Sequence, residues 1–406
     1  MPLYVQKYGG SSVADVEKIR QVALRAKEMY EKDNEVVLVV SAMGKTTDSL
    51  IELAHSITCN PSAREMDMLC STGELVSASL TAMALQEIGC PALAFSGMQA
   101  GLNTTDEHTK ARIDKIDTKR IAKELKEGRV VVVAGFQGID KFGDVTTLGR
   151  GGSDTTAVAL AIALKADECQ IFTDVDGVYT ADPRIVPDAV CLKEIDYPEM
   201  LEMATYGAKV MHARAVELGG IYKMPILVAN SQKNEGGTLI HGGVKMESRN
   251  KATGITSTIN IAKITVVGVP DRPGVSAKIF GTLAAKGISV DTIVQNTGVD
   301  GQTTDLSFTV ARNEAEEAMN AISNVSSELG ARDISVDKKL GEVSVIGTGM
   351  QNTPGYASTM FNALAEKDIN INLITTSEIR ITCIIDESQV KEAVRVLHKA
   401  FELENK

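Results

Sequence analysis

The chain has 406 residues, of which 44% are apolar and 23% charged, and this length predicts two or three domains. A formal net charge of -11 opposes nonspecific attraction to nucleic acid, and no cluster of Lys and Arg with interleaved aromatic residues indicates such a partner. No apolar run approaches the roughly 20 residues that span a bilayer and no signal-peptide pattern precedes the first strand, so we expect a cytoplasmic protein without a membrane contact.

From residue 3 to about 240, short β-branched runs alternate with longer amphipathic stretches, which predicts a mainly parallel sheet sandwiched by helices. The clearest strands, residues 35–40, 129–134 and 169–173, are apolar on both faces and should lie inside the sheet. Helices that connect parallel strands are predicted at about 13–32, 62–88, 118–126, 154–165 and 206–218. The fold class of residues 1–245 is therefore α/β.

An internal repeat follows a glycine-rich break at residues 234–237. Pro273-Gly274 and the pattern after it recur at Pro354-Gly355, and a β-branched strand precedes each copy. Each copy resembles a small ferredoxin-like βαββαβ unit. We therefore predict two further domains at residues 246–340 and 341–406, with interleaving of their elements left open.

Lysine, glycines and serines follow the first predicted strand in Lys7-Tyr8-Gly9-Gly10-Ser11-Ser12. Glycines let backbone N–H groups turn toward an anion at a helix N-terminus, and a lysine there can neutralise a transferring phosphoryl group. The order of residues is not that of a P-loop. A tight strand-to-helix turn explains the same residues, and both interpretations stay open.

Two further loops, residues 41–47 and 149–156, lie at predicted strand ends, the edge along which open α/β sheets bind ligands. In the second loop, Arg150 suits bidentate binding of a carboxylate. Asp154, at a helix start, is typical of a capping residue, and capping is compatible with a role in organising catalysis.

A fourth segment, residues 173–184, leaves a buried strand and combines acidic and turn residues with a tyrosine and an arginine. Such a loop can hold a nucleotide, whereas a surface turn explains its glycine and proline equally well. Because four loops at successive strand ends share this chemistry, together they favour one ligand site.

These stretches, with residues 71–74, resemble in order the motifs of the aspartokinases of the amino acid kinase family, and the C-terminal repeats resemble tandem ACT domains. The resemblance covers nearly the whole chain and implies an amino acid kinase fold followed by two ACT domains. It also implies transfer of the γ-phosphoryl group of ATP, with Mg²⁺, to the side-chain carboxylate of L-aspartate. The product, 4-phospho-L-aspartate, would serve lysine, threonine and methionine biosynthesis.

The resemblance implies roles for single residues of these motifs. Lys7 would stabilise charge on the moving phosphoryl group, and Asp154 would organise the phosphate-binding residues. Glu74 would accept the substrate ammonium and Arg150 would bind its α-carboxylate, in a pocket completed by Ser41 and Thr47. The implied ATP contacts are Lys7, Gly9, Gly10, Ser11, Gly151, Gly152, Ser153, Thr173, Asp174, Tyr179, Asp182, Arg184 and Lys209. For Lys209, a solvated helix lysine is an equally good interpretation.

The same resemblance implies feedback inhibition by lysine or threonine bound between ACT units. The implied allosteric residues are Asp271, Ser289, Asp291, Gln295, Asn370, Ile371 and Ser377. Tyr356-Ala357 stands where relatives often carry a hydroxyl residue, which weakens the case for threonine. ACT units pair across chains edge to edge, so we expect a homo-oligomer. Met246 precedes the repeats where some relatives start a shorter product, which makes an α2β2 assembly a hypothesis.

We predict no catalytic or metal-binding role for the cysteines and histidines. The six cysteines show neither a CxxC pair nor metal-ligand spacing, so we expect reduced thiols and commit to no metal-binding residue. The five histidines lie outside the loops and are assigned structural or surface roles. A carboxylate is already a nucleophile near neutral pH, so the reaction requires no general base.

Two alternatives remain at this point. One is another member of the family, which would act on acetylglutamate, glutamate, carbamate or a nucleoside monophosphate; the tandem repeats and Glu74 argue against it. The other is a noncatalytic amino-acid sensor that retains a nucleotide pocket, which the presence of Lys7, Arg150 and Asp154 disfavours.

Overall fold

The computed structural model describes residues 1–208, 210–233, 236–243, 252–297, 302–350 and 353–406. Two units divide the chain. The first comprises Met1–Tyr179 and Cys191–Ser248, and the second comprises Thr180–Val190 and Arg249–Lys406. The short segment Thr180–Val190 therefore belongs with the C-terminal part of the chain, although it lies in the N-terminal half of the sequence.

The first unit is built on a mainly parallel sheet. Its strands in chain order are β1 (Leu3–Tyr8), β2 (Glu35–Val40), β3 (Ala92–Phe95), β4 (Leu102–Thr104), β5 (Ile113–Ile116), β6 (Val130–Ala134), β7 (Gln137–Ile139), β8 (Val145–Thr147), β9 (Glu168–Thr173), β10 (Glu194–Ile195), β11 (Ile226–Asn230) and β12 (Thr238–Ile240). The main sheet has the order β10-β12-β11-β9-β1-β2-β6-β3, with β11 and β12 antiparallel, and a small sheet has the order β5-β4-β7-β8. The predicted parallel α/β sheet is confirmed.

Helices cover this sheet because each has an apolar face. They are α1 (Val16–Tyr30), α2 (Thr46–Ile57), α3 (Ala63–Glu87), α4 (Lys119–Lys126), α5 (Gly152–Leu164), α6 (Tyr197–Thr205) and α7 (Ala213–Tyr222). In α1, Ile19, Val22, Ala23 and Ala26 recur at helical spacing and are buried, and each large one contributes about 1.5–3 kcal/mol. Asp15 caps this helix by accepting a hydrogen bond from the Lys18 N–H.

One predicted helix is wrong. Residues 206–218 were expected to be helical, but α6 ends at Thr205 and α7 begins at Ala213. Gly207 has φ 131°, a backbone conformation outside any α-helix, and the His212 ring caps α7 by accepting from the Arg214 N–H. Helices α2 and α6 were not predicted, and the other predicted helices of this unit are confirmed with shifted ends.

Among the described helices, α3 is long and apolar enough to cross a bilayer by length and composition alone. The prediction that no apolar segment is long enough to span a bilayer is therefore wrong for α3. Half of its most apolar window is buried, and its inward face carries Asp67 and Glu74. These are the properties of a core helix.

The second unit contains one antiparallel sheet with helices. Its strands are β13 (Gly254–Pro270), β14 (Ile293–Thr297), β15 (Thr303–Val310), β16 (Asp333–Ile346), β17 (Leu373–Thr376) and β18 (Arg380–Asp386), in the order β14-β15-β13-β16-β18-β17. Its helices are α8 (Val275–Ala285), α9 (Ala315–Glu328), α10 (Tyr356–Ala365) and α11 (Val390–Ala400). Short 3₁₀ helices in the two units are Gly10–Val13, Arg312–Glu314, Thr348–Met350, Glu387–Gln389 and Leu403–Asn405.

Strands β13 and β16 each serve both sequence repeats. Residues 254–258 of β13 pair with residues 342–346 of β16, and residues 264–267 pair with residues 333–336. The second repeat contributes β16, β17 and β18 to the sheet. The start of β13, which pairs with the end of β16, is the fourth strand beside them. The two copies are therefore interleaved, which the repeat pattern alone left open.

Candidate active site

The loops after β1 and β2 lie side by side because these strands are parallel neighbours. The Gly44 N–H donates to the Gly10 carbonyl at 3.0 Å, and the Ser41 N–H donates to the Tyr8 carbonyl at 3.1 Å. A Cβ at Gly10 would lie 2.8 Å from the Ala42 carbonyl oxygen, so only glycine permits this approach. Two of the predicted loops thus form one continuous edge, and Thr47 lies in the first turn of α2 beside it.

Lys7 and Asp154 form a nearly buried ion pair at this edge. The Lys7 Nζ lies 2.7 Å from the Asp154 Oδ1, and the two side chains are 13% and 10% exposed. The other carboxylate oxygen of Asp154 accepts from the His212 backbone N–H at 3.2 Å. The Lys7 Nζ also lies 3.4 Å from the position that a Cβ of Gly9 would take. The ammonium is therefore fixed at the first glycine loop, and Asp154 fixes it.

The start of α5 presents backbone N–H groups beside this ion pair. Gly152 and Ser153 form its first turn, where backbone N–H groups have no intrahelical acceptor and favour an anion, although the Gly152 N–H donates to the Gly149 carbonyl at 3.0 Å. His212 packs against Gly151, since a Cβ there would lie 2.2 Å from the imidazole Cγ. Burial of this imidazole lowers its pKa. No sequence pattern indicates this role for His212, which lies far along the chain from the loop it supports.

Glu74 projects from α3 under the Ser41–Ala42 turn and is 3% exposed. Its Oε1 accepts from the Ala42 N–H at 3.1 Å, and its Oε2 is buried without a hydrogen-bond partner among the described residues. Burial raises the pKa of this carboxyl to about 7, although the Ala42 N–H acts in the opposite direction. A buried carboxylate oxygen that lacks a donor is suited to a cationic ligand group.

Arg150 follows Gly149 in the turn between β8 and α5 and is exposed. Its guanidinium makes no hydrogen bond or ion pair with the part of the chain that the structure describes. The backbone before it is held by Arg214, whose guanidinium donates to the Leu148 and Ala111 carbonyls at 3.0 and 3.1 Å. A free guanidinium on a fixed turn can bind a carboxylate.

The predicted nucleotide segment starts at the end of β9. The Thr173 carbonyl accepts from the Ser231 N–H at 2.8 Å, and the Thr173 hydroxyl donates to the Asp174 carboxylate at 3.1 Å. Asp176 anchors the turn by accepting from Lys233 Nζ at 2.7 Å and Asn230 Nδ2 at 2.8 Å. These donors, Lys233 first, lower the pKa of Asp176. Asp176 lies within the predicted segment 173–184 but was assigned no role, and Asn230 was not predicted, although β11 ends beside β9.

Two of the predicted nucleotide contacts, Asp182 and Arg184, do not belong to the first unit. Asp182 and Arg184 lie in the segment that belongs to the second unit, and they pair with each other through Nη2 and Oδ2 at 2.8 Å. The neighbouring Ala181 and Val186 are buried in the core of that unit. Lys209 and Met246 lie outside the described residues.

The predicted allosteric residues fall into two separate groups. Ser289, Asp291 and Gln295 lie on or just before β14, whereas Asn370, Ile371 and Ser377 flank β17. Asp271 directly follows β13, two strands inside the β14 edge. Strands β14 and β17 are the two edges of the six-stranded sheet, about 24 Å apart at the usual strand spacing. A single chain therefore does not bring the two groups together.

Two family models match this chain. The amino acid kinase family matches residues 2–230, and the ACT domain matches residues 264–325 and 343–401.

The chain is also similar to named proteins over its whole length. An aspartate kinase of Pseudomonas putida is 51% identical over 405 residues, which is 100% of this chain and 98% of that protein. An aspartokinase of Corynebacterium glutamicum is 46% identical over 407 residues, which is 99% of this chain and 97% of that protein. The solved structure of E. coli aspartokinase III in complex with aspartate and ADP, in its R-state, is 26% identical with a TM-score of 0.86, over 98% of this chain and 100% of that one. The same enzyme in complex with lysine and aspartate, in its T-state, gives a TM-score of 0.76 at 26% identity, over 98% of this chain and 99% of that one.

Proposed function

This chain belongs to the amino acid kinase family and is an aspartate kinase with C-terminal ACT domains, and we propose that it phosphorylates the side-chain carboxylate of L-aspartate. The product would be 4-phospho-L-aspartate. Two features of one site carry this proposal. The Lys7–Asp154 ion pair lies at the glycine-rich loops, and the Oε2 of Glu74 is buried without a hydrogen-bond partner among the described residues.

The proposed step is an in-line phosphoryl transfer. A side-chain carboxylate oxygen of aspartate forms a bond to the γ-phosphorus, the bond from that phosphorus to the bridging oxygen breaks, and ADP leaves with the electron pair. No proton has to move, because both the attacking carboxylate and the leaving phosphate oxygen are anionic. Catalysis then depends on positioning and on charge stabilisation.

Lys7 would supply the charge stabilisation. Its ammonium lies between the first glycine loop and α5, both of which offer backbone N–H groups to phosphate oxygens. Asp154 would keep this ammonium in place and reduce its freedom to swing toward solvent. Gly9, Gly10, Ser11, Gly151, Gly152 and Ser153 are the proposed phosphate contacts, and Thr173, Asp174, Tyr179 and Lys209 are the proposed contacts to the rest of ATP.

Glu74 and Arg150 would select the amino acid. Glu74 offers a carboxylate for the substrate ammonium, and Arg150 offers a guanidinium for its α-carboxylate, with Ser41 and Thr47 beside them. This pair disfavours acetylglutamate, which has no ammonium group to satisfy the buried Glu74 oxygen.

Mg²⁺ would arrive bound to the ATP phosphates. Both carboxylate oxygens of Asp154 are already engaged, one by Lys7 and one by the His212 N–H, which disfavours Asp154 as a ligand of the ion. The ion would neutralise phosphate charge, in keeping with its preference for phosphate oxygens and water.

Regulation would come from lysine, threonine or both at the ACT units. Because the two groups of predicted effector residues lie at opposite sheet edges, an effector that touches both groups requires a second chain beside the first. We therefore propose a homo-oligomer that pairs β14 of one chain with β17 of its partner. An α2β2 assembly with a chain started at Met246 stays a hypothesis, and intact mass spectrometry of natively expressed protein showing only full-length chains would eliminate it.

We further propose a cytoplasmic enzyme at the first step of lysine, threonine and methionine biosynthesis. Residues 1–245 would be the catalytic domain, and residues 246–340 and 341–406 the ACT domains with exchanged strands.

Coupled ADP release tests this function. Turnover should require aspartate, should fail with glutamate or acetylglutamate, and should fall when lysine, threonine or both are added. Turnover with acetylglutamate but not aspartate would reject the substrate, and turnover insensitive to both amino acids would reject the regulation.

A further inference from the structure

A second buried carboxylate, Asp67, lies seven residues before Glu74 on α3 and therefore on the same helix face. Asp67 is 1% exposed and both of its oxygens are engaged. Oδ2 accepts from the Thr109 N–H at 2.9 Å and pairs with the His108 Nδ1 at 2.8 Å, and Oδ1 accepts from the Thr147 hydroxyl.

The Thr109 backbone is strained where Asp67 holds it. Thr109 has φ 66°, a left-handed conformation that is rare for a β-branched residue and costs about 1–3 kcal/mol. The carboxylate offsets this cost by accepting the Thr109 N–H, which also contacts Oδ1 at 3.1 Å. Strained residues that are held in place by hydrogen bonds, as Thr109 is by Asp67, often lie at functional sites.

The strained residue supports the turn that carries Arg150. The Thr109 carbonyl oxygen lies 3.0 Å from the position that a Cβ of Gly149 would take, and Gly149 itself has φ 75°. Any other residue at Gly149 would both clash with this carbonyl and require an unfavourable backbone conformation.

Asp67 also holds the other side of the same turn. Thr147, which donates to Asp67, ends β8 two residues before Gly149, and its carbonyl accepts from the Ala111 N–H at 3.0 Å. One carboxylate thus ties the strand that enters the turn to the loop on which the turn rests. Asp67 does not reach Lys7 or Asp154 through any described hydrogen bond.

We propose that Asp67 is a positioning residue for the amino-acid substrate, which fixes the Gly149–Arg150 turn while Glu74 on the same helix face binds the substrate ammonium. Helix α3 would then contribute to aspartate affinity in two ways, directly through Glu74 and indirectly through Asp67 and Arg150. The affinity for ATP would not depend on Asp67. This inference rests on the proposed role of Arg150 as the ligand of the substrate α-carboxylate.

The test separates positioning from general loss of stability. Asp67→Asn replaces one carboxylate oxygen with an N–H₂ group, which faces the groups that donate to Asp67 in the wild type. The KM for aspartate should rise about tenfold, whereas kcat and the KM for ATP should change less than about twofold. Thr147→Val removes only one donor to Asp67 and should raise the KM for aspartate about threefold to fivefold. Thr146→Val is the matched control, because the neighbouring buried hydroxyl pairs with Thr104 instead, and it should leave all three constants unchanged.

A double-mutant cycle tests whether Asp67 acts through Arg150. Asp67→Asn should raise the KM for aspartate less than about twofold in an Arg150→Ala background. Equal effects in both backgrounds, or equal effects of Thr147→Val and Thr146→Val, would overturn the proposal. If Arg150→Ala by itself leaves this KM unchanged, the proposed role of Arg150 fails first, and the inference falls with it. If Asp67→Asn does not fold, the pair of threonine variants decides.

Discussion

The raised pKa of Glu74 predicts how aspartate binding depends on pH. At a pKa of about 7, about one tenth of Glu74 is ionised at pH 6 and about nine tenths at pH 8. The ammonium of aspartate needs the ionised form, and its binding releases a proton from Glu74. The KM for aspartate should therefore fall about tenfold from pH 6 to pH 8, because the carboxyl has to lose its proton before it can accept the ligand.

Glu74→Gln removes this titration. The variant should show a high KM for aspartate that no longer changes between pH 6 and pH 8, measured by coupled ADP release at saturating MgATP. Ser77→Ala is a matched control on the same helix, since its buried hydroxyl only donates to the Gly73 carbonyl, and it should keep the wild-type pH dependence. A KM that is equally pH-dependent in Glu74→Gln and wild type would refute the reasoning.

The same pKa shift predicts a gain in stability for Glu74→Gln. A carboxyl whose pKa rises from the ordinary 4.5 to about 7 on folding destabilises the fold as pH increases through this window. The cost reaches about 3 kcal/mol above pH 7, so Glu74→Gln should melt at a higher temperature than wild type at pH 8. At pH 4, where Glu74 is protonated in the folded protein, the two melting temperatures should converge.

The remaining predictions concern charge, regulation and the core. Lys7→Ala should lower kcat by about a thousandfold in the ADP assay while circular dichroism shows a folded protein, although the unpaired Asp154 lowers its melting temperature; wild-type activity would contradict the role of Lys7. Gln295→Ala should raise the effector concentration that half-inhibits turnover, and unchanged inhibition would remove β14 from the effector site. Leu364→Ala opens a cavity in the core of the second unit and should destabilise it by about 2–5 kcal/mol in thermal melts, and a loss below about 1 kcal/mol would contradict the packing.

The sequence pattern predicted the parts of the fold that depend on local periodicity. Strands β2 and β6 are apolar on both faces because both lie inside the main sheet, with a strand on each side, and the prediction matches their observed positions within a residue. The predicted helix at residues 206–218 failed because Gly207 and the His212 cap interrupt a stretch whose composition favours a helix. His212 packs against Gly151, and no local pattern records a contact between residues so far apart in the chain.

Two further features were not predicted, although the sequence carried a signal for each. The segment Thr180–Val190 continues a nucleotide-like motif in the sequence, yet its apolar Ala181 and Val186 pack in the second unit. The signal was present, because two apolar residues in an otherwise polar loop need a core to cover them. Asp67 could also have been found, since it shares a helix face with Glu74 at a spacing of two turns.

Trapping of the product tests the central claim most directly. The protein is incubated with MgATP, L-aspartate and hydroxylamine, which converts an acyl phosphate into a stable hydroxamate, and mass spectrometry with fragmentation locates the hydroxamate. The account predicts the β-hydroxamate of aspartate, formed only when both substrates are present and absent with Lys7→Ala. Release of ADP without a hydroxamate, or with the α-hydroxamate, would contradict phosphorylation of the side-chain carboxylate.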